Sequence, residues 1–149
     1  MTRKRLAIAS AIVLGVLATG YLACFNHVEP NEVGIAWNRF SGDLWLQNAG
    51  WYFTAPWVSV SRIDTRPLRV CVATSGRGFS CKLVQFVPSA YKEFVATEGH
   101  RYYWWSNRFS VNFGYDDEYR GMKDILRGYA YGTAKYPFVV VLQDYGDPR

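Results

Sequence analysis

The chain has few of the residues that carry most enzyme chemistry. Its 149 residues include two histidines, His27 and His100, and three cysteines, Cys24, Cys71 and Cys81. The histidines are far apart, with no cysteine or carboxylate at ligand spacing, so each reads as structural or exposed and no metal is expected. There is no nucleophile elbow, phosphate loop or dinucleotide fingerprint, which removes the usual hydrolase, nucleotide and dehydrogenase signatures. Asp116, Asp117 and Glu118 are surrounded by no loop of calcium-binding spacing and read as a helix cap. Glycine and proline follow no repeat period, which excludes a solenoid. The expectation is a chain that is not an enzyme and needs no cofactor.

Charge of one sign is also scarce. The net charge is +5, and three of those charges are Arg3, Lys4 and Arg5. The remainder carries about +2 (five minus three), too little to argue for nucleic acid as a partner.

What is present begins at that triplet. An uncharged apolar run follows it from Leu6 to Phe25, and roughly 20 residues in a helix match the hydrocarbon core of a bilayer. Its larger apolar residues each favour insertion by roughly 0.3 to 0.6 kcal/mol. With basic residues only on the amino side, the positive-inside rule predicts a single-pass anchor whose amino terminus is cytoplasmic and whose domain lies on the other side. A cleaved signal peptide, cut near Ala18, Thr19 and Gly20, is the rival reading, and lipidation at Cys24 a third. The predicted organisation is a basic stub and anchor over 1–27, one domain over 28–143 and a loose tail over 144–149.

Beyond the anchor, Val33, Ile35 and Trp37 alternate as in a half-buried strand. Further strands are predicted at 44–47, 51–53, 58–63, 68–72 and 81–87, with turns at 41–43, 48–50 and 75–78. A short helix is predicted between Pro88 and Gly99. A second begins near Asp116 or Asp117, with Tyr119, Met122, Ile125, Leu126 and Tyr129 as one apolar stripe. The continuous apolar run 138–142 reads as a buried central strand. Strands first, helices later and one closing strand indicate an α+β domain with a small antiparallel or mixed sheet and two or so helices.

The order of residues carries a resemblance. An anchor leads into Val28 Glu29 Pro30 Asn31 Glu32 Val33 Gly34 Ile35, then Ser41 Gly42, Gly50 Trp51 Tyr52 Phe53, Ala55 Pro56 Trp57 and Val60 Ser61 Arg62 Ile63 Asp64 Thr65 Arg66. Over roughly residues 28–74 this resembles the opening of the SPFH or band 7 domain of stomatins, prohibitins, flotillins and bacterial membrane-protease regulators. Pro30, Glu32, Gly34, Gly50, Phe53, Pro56, Ile63, Asp64 and Arg66 carry the motif. The long alanine- and charge-rich helix that usually continues the family domain does not follow, and residues 99–114 match no family motif.

The resemblance implies a membrane scaffold that works by self-association and by binding membrane partners, a protease among them. Membrane lipid and a homo-oligomer are the implied partners. The alternative is a secreted or envelope-attached ligand-binding module, its signal peptide removed, with an aromatic surface around Tyr102, Tyr103, Trp104 and Trp105 flanked by Arg101 and Arg108. Cys71 and Cys81 sit symmetrically about Gly76, so a hairpin turning there sets them opposite each other, as a disulfide or as two buried thiols.

Overall fold

The computed structural model describes residues 3–74, 78–111 and 118–146; the side chains of 3–6, 22–23 and 118–120 lie outside that description. Helix α1 (Arg3–Ala23) leads into β1 (Phe25–Val28), β2 (Glu32–Asn38), β3 (Leu44–Gln47), β4 (Gly50–Phe53), β5 (Val58–Asp64), β6 (Leu68–Ala73) and β7 (Phe79–Phe86). A 3-10 turn (Pro88–Ala90), α2 (Tyr91–Glu98), β8 (Arg101–Tyr103), β9 (Arg108–Ser110), α3 (Glu118–Tyr131) and β10 (Val139–Asp144) complete the order.

The expected membrane anchor is corrected. Among the described residues no helix is long and apolar enough to cross a membrane. Arg3, Lys4 and Arg5 take the first turn of α1, and Ser10, Gly15, Thr19 and Gly20 interrupt the apolar residues that follow, which lowers the apolar density of the helix. With the anchor go the signal-anchor reading, the orientation drawn from Arg3, Lys4 and Arg5, and the placement of the domain across a membrane.

The expected single sheet is corrected as well. The described strands form four small antiparallel sheets, ordered β3-β2-β5, β10-β7-β6, β1-β4 and β8-β9. An α+β content remains, mostly sheet, but the arrangement is not the one that a band 7-like domain led us to expect. Tight turns between short strands favour this division. Asn38 Oδ1 accepts from the backbone of Phe40 at 2.9 Å, and Gly42, at φ 75°, closes the β2–β3 turn.

Strand β2 is buried on both faces rather than one, because Gly34 and Ala36 are buried along with Val33 and Ile35. A Cβ on Gly34 would lie 2.9 Å from Val60 Cγ1, 3.1 Å from Val28 Cγ2 and 3.3 Å from Gln47 Cβ. The missing side chain is what lets the β1–β4 ribbon lie across that sheet.

The main core joins the two three-stranded sheets to the helices. Phe86, Phe94 and Phe138 are fully buried, with Phe94 5.1 Å from Phe86 and 5.3 Å from Phe138 in edge contacts. Helix α3 adds Met122 and Leu126, with Ile125 and Tyr129 packed beside them. Strand β10 departs from the expected central strand: Phe138 enters the core, but β10 itself is an edge strand with exposed side chains. A run of consecutive apolar residues cannot by itself say which of them turn inward.

Cys71 and Cys81 are register partners in β6 and β7 and are joined by a disulfide. Of the turn expected there, residues 75–77 lie outside the described residues.

Candidate interaction site

Three connections converge at one end of the domain: the β2–β3 turn, the loop 54–57 between β4 and β5, and the β8–β9 turn 104–107. Asn107 holds them together. It has φ 47°, a left-handed conformation that asparagine tolerates better than most residues. Its Nδ2 donates to Pro56 O at 2.6 Å, and its Oδ1 accepts from the Tyr102 hydroxyl at 2.9 Å. Ser59 Oγ donates to Asn107 O at 2.7 Å and accepts from Phe109 N at 2.6 Å, tying β9 to β5. Arg39 reaches the Tyr102 hydroxyl at 3.3 Å, and Arg39 N bonds Trp57 O at 3.4 Å.

Alternation along the β8–β9 hairpin sorts its aromatics. Phe109 is buried and stacks on Trp37 at 5.5 Å, while Tyr102 and His100 pack against Trp37 at 5.0 and 5.6 Å. His100 is therefore held by ring packing. Trp104 and Trp105, in the turn, are 76% and 69% exposed. Phe40 is 72% exposed and touches Trp57 at 6.0 Å between ring centres. The result is an apolar rim of Phe40, Trp57, Trp104 and Trp105 carried on a hydrogen-bonded frame. Trp104 and Trp105 meet at 82°, so they offer no shared plane on which successive bases or sugars would stack.

Beside the rim, between β1, β5 and the β8–β9 turn, is a groove of about 500 Å³ lined in part by Asn26, His27, Val60, Arg62, Asn107 and Arg108. Among the described residues none of those lining it is acidic, and Arg62 and Arg108 belong to its lining. Its β1 wall is fixed by Asn26 Nδ2, directed at Gln47 Oε1 (3.3 Å) and Thr54 Oγ1 (3.5 Å). His27 rests on Trp51, ring centres 4.5 Å apart.

The motif residues do not gather at one point. Pro30 lies in an exposed turn, Glu32 opens β2 opposite Asp64, Gly50 starts β4 at φ 146°, and Phe53 ends it beside Phe25, ring centres 5.5 Å apart. Pro56 is the one that enters the site, through its carbonyl. Ile63 is buried, and beyond it Arg66 Nε bonds both Asp64 carboxylate oxygens, at 3.0 and 2.9 Å. Burial pushes the Asp64 carboxyl up, but the side-chain and backbone hydrogen bonds from Arg66 and its charge outweigh that, so it titrates below its ordinary value. Tyr129 titrates above its own, from burial first and then from its hydrogen bond to Glu98.

No three His, Cys, Asp or Glu side chains cluster as a metal site among the described residues. Asp116 and Asp117 lie outside them, and Glu118 opens α3. Sequence reasoning missed Arg39, Phe40, Ser59 and Asn107. The pair Ser106–Asn107 between aromatic residues was the available signal for a turn. Neither a protein-family model nor a curated protein matches the chain.

Proposed function

We propose that this chain is a scaffold, acting through self-association and through partners held at the aromatic rim. The observation that carries the reading is the exposure of Phe40, Trp57, Trp104 and Trp105 at one end of the domain on a frame tied down by Asn107. Exposed aromatic clusters that are held rigid lose little entropy on binding and are favoured at protein interfaces.

Replacing Trp105 by a photo-cross-linking amino acid in the native host tests this. Discrete protein adducts are expected at Trp105, strongly reduced when Trp104→Ala is added. Adducts at Trp105 no more abundant than at the exposed helix position Lys92 would overturn the rim as a partner site.

A further inference from the structure

Strand β10 is the outer strand of the sheet ordered β10-β7-β6, and among the described residues no strand pairs with its far side. Val140, Val141 and Leu142 are 39%, 42% and 49% exposed. Proteins usually guard such an edge with lysine or proline, and β10 contains neither.

The backbone polar groups on that edge can be assigned. Val87 N donates to Phe138 O and Tyr145 N to Cys81 O, both at 2.9 Å. The register skips Leu142, which is a bulge. Antiparallel alternation from those two anchors turns the backbone of Val140 and Gln143 toward β7 and that of Val139 and Val141 outward. Val139 N already donates to Tyr136 O at 3.3 Å. An acceptor on Val139 and a donor and an acceptor on Val141 are left facing out.

We propose that β10 pairs antiparallel with β10 of a second copy, with Val140 on the two-fold axis and each Val141 N–H donating to the other copy's Val139 carbonyl. The proposal gives the self-association in the scaffold reading its surface, and it rests on that reading. A second copy fits because the edge is self-complementary: the outward donor of one meets the outward acceptor of the other. Charge agrees. Residues 136–143 are uncharged, and in this register Asp144 comes opposite Tyr136 instead of another carboxylate. Two three-stranded sheets would become one six-stranded sheet, and a contact using the same patch on both copies closes at two. The bulge at Leu142 ends the regular edge just past Val141, so the pairing is short and the dimer is weak and concentration-dependent.

Cross-linking of the full chain at the symmetry point tests the register. Residues directly opposite in a non-hydrogen-bonded antiparallel pair have Cα atoms about 4.5 Å apart, within disulfide reach. In a Cys24→Ser background, Val140→Cys on oxidation is expected to give a covalent dimer at least about five-fold above the exposed control Lys92→Cys. Adding Val141→Pro removes an outward donor and leaves the β7 ladder bonds in place; it should return the yield to the control level with the near-ultraviolet circular dichroism unchanged. Val140→Cys yields equal to the control, or a cross-link that survives Val141→Pro, would overturn the proposal. If sedimentation shows assemblies while Val140→Cys fails to cross-link, β10 pairing is wrong and self-association stands. A chain monomeric at every concentration sinks both.

Discussion

Asp64 shows how a single carboxylate can couple the motif region to pH. Its carboxyl is lowered from an ordinary value of 3.8 by Arg66 despite partial burial. A group whose folded value is depressed adds stability above its unfolded value and loses it as pH falls through the folded one. Asp64→Asn should therefore lower stability at neutral pH, and the gap to the parent should close as the pH falls below about 4. Because the Arg66 side chain is exposed, the neutral-pH loss should stay under about 1 kcal/mol. Denaturant melts of both proteins across the acid range measure it; a gap that persists at low pH would mean that Asp64 acts through packing instead. Neighbouring Glu32, opposite Asp64 in the β2–β5 register, has one buried carboxylate oxygen without a partner among the described residues.

Among the elements, β2 is the most constrained, covered on one face by the core and on the other by the β1–β4 ribbon. Gly34→Ala should cost about 1 to 3 kcal/mol, since the new methyl meets the Val60 and Val28 side chains at 2.9 and 3.1 Å and the ribbon must shift. A thermal melt reads this directly, and an unchanged melting temperature would mean that the ribbon moves freely over the sheet. Much at this scale was legible in the sequence. The period-two runs of β2, β5 and β6 and the α3 stripe of Met122, Ile125, Leu126 and Tyr129 follow from local periodicity, and Gly99, at φ 76°, follows α2. What was not legible depended on distant partners. Strand β1 looks like the end of an apolar run until it is seen opposite β4, and β10 looks central until its one neighbour is known. The candidate site was less legible still. Trp104 and Trp105 were visible as aromatics, but the rim forms only because Asn107 reaches Pro56, far off in sequence.

Over the whole molecule, stability converges on a ring supplied late in the chain. Phe138 is fully buried and touches Phe94, Tyr129 and Tyr136, with ring centres 5.3, 4.9 and 5.4 Å away. Phe138→Ala should cost about 3 to 5 kcal/mol, a large share of the 5 to 15 kcal/mol typical of a whole domain. Urea unfolding would measure the loss; a cost below about 1 kcal/mol would mean that the rings around it collapse into the space. Helix α1 stands apart from this core, with Ile8, Ile12, Leu14 and Leu17 exposed and its end meeting β1 through Tyr21 and Phe25. The position of Phe138 also bears on synthesis. On the ribosome, Phe86 and Phe94 emerge well before the residue that covers them, so the nascent domain stays open until Phe138 has left the exit tunnel. Completion of the core therefore waits for Phe138, and until then the uncovered rings are a binding surface for chaperones.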